Sequence, residues 1–283
     1  MVPYRKNHRS AALAALLLLA GLVAGCGPKL PDEFLFSGPI MGTTYHVKVV
    51  ADLPARTAEE LDRNILETLE RVNGRMSTYR DDSELSQFNA IMETAPFALS
   101  DETLGVFEIA LEVSRETGGA FDVTVGPLVN AWGFGPGKGE TPDAATIGQL
   151  LERVGYGKLT LDRNGGTLAK SIPGMYCDLS AVAKGYAVDA VAAALEEKGV
   201  TRYMVEVGGE VRTSGTNQEG RPWRIGIYRP DPERFDLQRV VALSGLSMAT
   251  SGDYRNYIDV DGKRLSHTID PRTGRPRSTA WPP

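Results

Sequence analysis

The chain has 283 residues, 42% of them apolar and 24% charged, with 31 Gly and 17 Pro. That is enough apolar material to core one large or two small domains, and too ordinary a composition for disorder, collagen or a coiled coil. Setting aside the first 25 residues removes three of the 31 Lys and Arg (Arg5, Lys6 and Arg9) and no acid. The remainder carries 28 cations against 36 Asp and Glu, a net charge of −8. This balance argues against nucleic-acid binding through a basic footprint. Any phosphate site must be built locally, from backbone N–H groups, a metal or one placed lysine.

Met1 to Arg9 is basic, Ala11 to Val23 is apolar, and Leu22-Val-Ala-Gly-Cys26 closes the run with small residues before a cysteine. This is the pattern of a secretory signal, and the apolar run is shorter than the ~20 residues of a membrane span. The Leu-Val-Ala-Gly-Cys ending resembles a bacterial lipobox. That resemblance implies cleavage before Cys26, lipidation of Cys26, and a mature chain anchored on the periplasmic side of a bacterial membrane. Gly27 rather than Asp follows the cysteine, so retention at the inner membrane is not indicated. With Cys26 so used, Cys177 stands alone and no intramolecular disulfide is expected. His46 and His267 are the only histidines after residue 26, which excludes an H-E-x-x-H metalloprotease.

Residues 26–36 read as a lipid-anchored tether, and 37–283 as one domain. Thr43 to Val50 alternates and is β-branched, which predicts a strand. Thr57–Arg71 predicts a helix, its apolar residues Leu61, Ile65 and Leu69 at a helical spacing that Val72 continues, with Thr57 and Glu60 placed as a capping box. Asp82–Asn89 predicts a short helix, and Ser100–Thr117 a longer one stopped by Gly118-Gly119. Gly133–Pro142 is a Gly- and Pro-rich loop, and Asp143–Val154 a further helix. Leu159–Asp162 and Thr167–Ile172 form a hairpin around Asn164-Gly165. Ser180–Lys198 is helical, with Val182, Tyr186, Val191 and Leu195 on one face. Six strands follow: Tyr203–Val207, Trp223–Tyr228, Arg239–Leu243, Ser247–Thr250, Asn256–Val260 and Arg264–Ile269. Short turns between them predict an α+β fold with a largely antiparallel sheet.

Four segments carry more than packing requires. Gly38-Pro-Ile-Met-Gly-Thr-Thr44 is a Gly-bracketed turn feeding a strand, by itself compatible with any tight turn. Gly118 to Phe134 sets permissive glycines, an aromatic and an acid after a helix. It suits close approach to a planar ligand or, equally, a buried helix end leading into a core strand. At Asp178-Leu-Ser-Ala-Val-Ala-Lys-Gly185 a helix begins, with Lys184 one turn in. Unsatisfied N–H groups and the helix dipole there attract anions, while a solvated lysine on a capped helix is the plain alternative. Ser251-Gly-Asp-Tyr-Arg255 precedes Ser266-His-Thr-Ile-Asp-Pro271. His267 can exchange a proton near neutral pH, oriented by Asp270 or by a backbone carbonyl.

Six blocks stand together in order: Gly-Pro-Ile-Met-Gly-Thr, Met76-Ser-Thr-Tyr79, Gly-Gly-Ala-Phe-Asp-Val-Thr, Asp-Leu-Ser-Ala-Val-Ala-Lys-Gly, Val207-Gly-Gly-Glu210 and Ser-His-Thr-Ile-Asp-Pro. In this the chain resembles the ApbE-type FAD:protein FMN transferases, from Ser37 to about Pro276. The resemblance implies a T-fold-like α+β domain with flanking helices. It also implies cleavage of FAD at its diphosphate with Mg²⁺, and transfer of FMN to a Thr or Ser hydroxyl with release of AMP. Met41, Tyr79, Ala120, Phe121, Asp122, Asp178 and Lys184 would then border FAD, and the Ala181 carbonyl would contact Mg²⁺. His267 would deprotonate the acceptor, with Asp253 and Asp270 as helpers. Acceptors would be flavin-carrying subunits of membrane redox complexes with a D-x-x-[ST]-G-A-T type motif, which this chain itself lacks. Family members continue into an A-D-A-L-x-T-A-L type segment that supplies further metal oxygens. The sequence here ends at Ser278-Thr-Ala-Trp-Pro-Pro283 without it, so weak FAD binding and slow turnover are expected. FAD hydrolysis to FMN and AMP, or FAD binding without catalysis, are the alternatives.

Overall fold

The computed structural model describes residues 31–136, 141–229, 236–252, 256–260 and 262–278. Strand β1 (Glu33–Ile40) turns through Met41 and Gly42 into β2 (Thr43–Val50). Residues 33–36, read as tether, are therefore strand: Glu33 pairs with Val50, and Phe36 is buried. Helix α1 (Ala55–Met76) starts earlier than the apolar spacing indicates. The Pro54 carbonyl accepts the Thr57 and Ala58 N–H groups, so Thr57 lies inside the first turn and no capping box forms. Helix α2 (Glu84–Ala90) is capped by the Ser83 hydroxyl and, beyond the short strand β3 (Phe97–Ala98), α3 (Asp101–Glu116) is capped by Ser100. Gly118 and Gly119, both at positive φ, stop α3.

A 3₁₀ turn (Val123–Val125) and α4 (Gly126–Ala131) stand where the sequence allowed a core strand, and α5 (Ala144–Leu151) follows its Asp143 cap. The β4 (Leu159–Asp162) and β5 (Thr167–Lys170) hairpin forms as expected, and so does α6 (Ser180–Glu197). The rest of the chain supplies β6 (Tyr203–Val207), β7 (Glu210–Ser214), β8 (Trp223–Tyr228) and β9 (Leu237–Leu243). It ends with β10 (Ser247–Met248), β11 (Tyr257–Val260), β12 (Lys263–Asp270) and β13 (Arg275–Ser278). Strands β7 and β13 hold too few apolar residues to stand out in the sequence. Pairing with β6 and β12 makes them strands, since sheet formation depends on neighbours more than on intrinsic preference.

Among the described residues all strand pairs are antiparallel, in a main sheet ordered β1-β2-β6-β7-β10 and smaller sheets β3-β5-β4, β8-β9 and β11-β12-β13. Alternation turns Tyr45, Val47 and Val49 of β2, with Tyr203, Val205 and Val207 of β6, to the face covered by α1 and α6. The opposite face carries cross-strand pairs such as His46 with Glu206 (2.7 Å) and Lys48 with Glu33 (3.0 Å). Leu61, Ile65, Leu69 and Val72 form the buried stripe of α1. On α6 the buried stripe is Ala183, Ala187, Val191 and Leu195, while Val182 and Tyr186, expected on that face, are half-buried. Small side chains let α6 lie close to sheet and α1, which fixes where its amino end sits. A second core cluster of Leu128, Trp132, Ile147, Val154 and Ile269 joins α4 and α5 to β12. Among the described residues no helix is long and apolar enough to cross a membrane.

Candidate active site

Two hairpin tips meet beside α6. In the β1–β2 turn Met41 has φ 49° and Gly42 φ 71°, and Met41 is the only non-glycine at positive φ among the described residues. A two-residue hairpin loop of this twist needs two positive φ values and usually draws Asn or Gly. A methionine there costs about 1–2 kcal/mol, and its half-buried side chain packs against the main core. The β6–β7 turn uses Gly208 (φ 56°) and Gly209 (φ 99°). A Cβ on Gly208 would stand 2.8 Å from Thr43 Cγ2 and 3.0 Å from Lys184 Cδ, so only bare backbone lets the two tips and Lys184 approach this closely. The Gly208 N–H donates to the Thr44 carbonyl at 3.1 Å, and the Gly209 N–H to Glu206 Oε1 at 2.7 Å. Lys184 Nζ donates to both oxygens of Glu210, at 2.9 and 3.0 Å.

At the start of α6, the Asp178 N–H donates to the Val123 carbonyl at 2.8 Å, which joins the Gly118–Phe134 segment to this helix. Asp178 Oδ1 accepts from the N–H and the hydroxyl of Ser180, and Ala181 lies in the first turn. Tyr79 is 66% exposed. Partial burial of its hydroxyl first, and the Asp178 carboxylate second, raise that group above the usual tyrosine range although the residue as a whole is exposed. That hydroxyl donates to the Phe134 carbonyl at 3.1 Å. The Phe134 ring meets His267 edge-on, with centroids 6.3 Å apart and planes at 70°. Trp132 Nε1 donates to the Gly274 carbonyl at 2.8 Å, so the β12–β13 turn is tied to α4.

His267 Nδ1 lies 3.0 Å from the Asn256 carbonyl oxygen. A carbonyl can only accept, so Nδ1 carries the proton and Nε2 of the neutral ring is the basic nitrogen. Of the two orienting groups the sequence allowed, the backbone carbonyl fills the role. Asp270 does not: its carboxylate is forked onto Arg272 (Nε to Oδ1 3.1 Å, Nη2 to Oδ2 3.0 Å) and also takes the Arg272 N–H at 3.0 Å. These bonds hold Asp270 below the usual carboxylate range.

Two other expected ligand contacts come with partners of their own. Asp122 is 5% exposed; Oδ1 accepts from the Thr124 N–H (2.8 Å) and hydroxyl (2.6 Å), and Oδ2 from the Tyr156 N–H (2.8 Å). It braces the loop from within, while Ala120 is exposed and Phe121 half-buried beside it. The amino end of α6 is partly closed as well. The Ser180 N–H is taken by Asp178, the Val182 and Ala183 N–H groups by the Leu179 carbonyl, and the charge of Lys184 by Glu210. Asp253 and Cys26 lie outside the described residues. Phe134, Asn256 and Glu210 join the site without having been singled out. Glu210 and Phe134 lie within the Val207–Glu210 and Gly118–Phe134 motifs, whereas Asn256 acts through its carbonyl, which any residue possesses.

The oxygens available for magnesium are few. Among the described residues no three His, Cys, Asp or Glu side chains gather as a metal site. Beside the Ala181 carbonyl stands the Asp178 carboxylate, whose Oδ1 accepts from Ser180. A hard ion takes several oxygens, and the described residues by themselves do not complete a magnesium site.

The sequence profile of the ApbE family matches residues 41–282. The chain is 47% identical over 269 residues to an FAD:protein FMN transferase of Vibrio cholerae, across 94% of this chain and 78% of that protein. A Haemophilus influenzae protein of the same name is 47% identical over 249 residues, 85% of this chain and 71% of its own. Among solved structures, flavin transferase ApbE from Vibrio cholerae aligns with a TM-score of 0.78 at 45% identity, covering 87% of this chain and 78% of that one. The apo form of Pseudomonas stutzeri flavinyl transferase ApbE aligns with a TM-score of 0.79 at 37% identity, covering 89% and 78%. With the profile running through both hairpin tips, the start of α6 and His267, this chain belongs to the ApbE family.

Proposed function

We propose that this protein transfers FMN from FAD to a Thr or Ser hydroxyl of another protein. Family membership supports the reaction class, and one observation carries the assignment of roles: His267 is held by a carbonyl in the tautomer that leaves Nε2 basic. In the proposed step the acceptor hydroxyl gives its proton to Nε2 as its oxygen bonds to the FMN phosphorus. The bond from that phosphorus to the bridging diphosphate oxygen breaks, and AMP leaves with the electron pair. Holding nucleophile and phosphorus in line is the main demand of such chemistry. The hairpin tips, Tyr79 and the start of α6 are proposed to hold FAD, with Met41, Ala120, Phe121, Asp178 and Lys184 around it. Magnesium is proposed as the ion that offsets the diphosphate charge, with the Ala181 carbonyl in the first turn of α6 as one contact.

The basic start, apolar run and Leu22-Val-Ala-Gly-Cys26 ending support a lipid anchor on Cys26 and a periplasmic location, with acceptors among flavin-carrying subunits of membrane redox complexes. The test is incubation of the purified chain with FAD, Mg²⁺ and a threonine-bearing acceptor peptide, read by mass spectrometry and AMP release. The peptide gains FMN if the reading is right. FMN and AMP without a peptide adduct indicate a hydrolase, and unchanged FAD a binding protein. His267→Ala is expected to slow transfer by roughly 10²–10⁴-fold while FAD still binds.

A further inference from the structure

A buried polar network lies behind Asp178. Asn89, near the end of α2, is 7% exposed and 88 residues away from the backbone it grips. Its Nδ2 donates to the Cys177 carbonyl at 2.8 Å, and its Oδ1 accepts the Cys177 N–H at 2.8 Å. One amide thus completes both backbone groups of a fully buried residue, as a neighbouring strand would. The next residue is Asp178, whose N–H is fixed from the other side by Val123. Asn89 is itself locked: Lys170, 2% exposed at the end of β5, donates to the Asn89 carbonyl at 3.1 Å and the Ile91 carbonyl at 2.9 Å, with Nζ 4.7 Å from the centroid of the Phe88 ring. A buried lysine bonded to two carbonyls and a ring is a costly arrangement, and here it serves to fix the turn after α2.

We infer that Asn89 is a positioning residue for the flavin nucleotide, acting through Cys177 to set Asp178 and the first turn of α6 where FAD is bound. The inference rests on the proposed function and assigns Asn89 no contact with substrate. Asn89→Ala leaves both Cys177 backbone groups unsatisfied and frees the segment to shift. Displacements near 1 Å at a remote support are enough to cost an order of magnitude or more in binding or rate. Asn89→Asp is nearly isosteric: the carboxylate still accepts the Cys177 N–H but cannot donate to the carbonyl until it is protonated.

The test is FAD titration of the purified chain by flavin fluorescence, alongside thermal melting. Val72→Ala serves as a control that weakens the same core at α1 without removing any hydrogen bond of this network. Asn89→Ala is expected to weaken FAD binding by ~10-fold or more in protein still folded at the assay temperature. Asn89→Asp should recover affinity as pH falls through the raised pKa of a buried carboxyl, whereas Val72→Ala should lower the melting temperature and leave affinity unchanged. The inference is overturned if folded Asn89→Ala, or Asn89→Asp should the alanine variant not fold, binds FAD as the parent does. It is equally overturned if affinity merely tracks melting temperature across all three variants. A parent chain that binds no FAD overturns the functional reading itself, and this inference with it.

Discussion

Single residues show where chemistry written in the sequence meets partners that are not. His267 stood out as a titratable group in a distinctive segment, and its tautomer follows from one carbonyl 3.0 Å away. Asp270 stood beside it in sequence yet is spent on Arg272. Asp270→Asn should therefore leave FMN transfer nearly unchanged and lower stability slightly at neutral pH. The sign follows from linkage: a carboxylate held below its ordinary 3.8 contributes stability above that pH and loses it as pH falls further, so the two proteins should converge in acid melts. Cys177 gives the alkaline counterpart. Complete burial pushes its thiol up to about 12 from 9.0. The folded state then keeps a proton that the unfolded chain releases, so stability should fall as pH rises above 9.0, and Cys177→Ala should flatten that slope in urea titrations. The same burial predicts that Cys177 is alkylated only on unfolding, which peptide mapping can read.

At the level of elements, helices and hairpins were largely legible because period and turn chemistry are local. Ser83, Ser100 and Asp143 cap helices as their residue types suggest, and Leu159–Lys170 closes as a hairpin. The misjudged elements share a cause. The start of α1 is set by the Pro54 carbonyl, the buried stripe of α6 by alanines that fit a crowded interface, and β7 and β13 by neighbouring strands. Close contact between elements yields a direct prediction at Gly208, where a methyl group would collide with Thr43 and the Lys184 stem in a backbone that already disfavours L side chains. Gly208→Ala should cost ~1–2 kcal/mol of stability in denaturant melts. It should also weaken FAD binding, because both hairpin tips must shift.

Across the whole molecule, the candidate site spans two cores. The hairpin tips and α6 belong to the main core, while His267 rides on a small sheet packed on the second. The Gly118–Phe134 segment joins them, bonded to Asp178 at one end and touching His267 at the other. Trp132→Phe keeps most of the packing but removes the bond to the Gly274 carbonyl. It should reduce the rate of FMN transfer several-fold, as loss of a support that orients His267, the proposed base, while FAD affinity stays as in the parent; steady-state kinetics with each substrate varied separates the two. The sequence by itself determined the fold class, most helices, the candidate histidine and the glycine turns, because hydrophobic period, capping and positive-φ demands act within a few residues. Only the tertiary structure decided that Asn256 orients His267, that Glu210 answers Lys184, and that Asn89 grips Cys177. Those contacts join residues from 11 to 88 positions apart, and they exist only once burial has brought distant backbone and side-chain polar groups together and obliged each to find a partner.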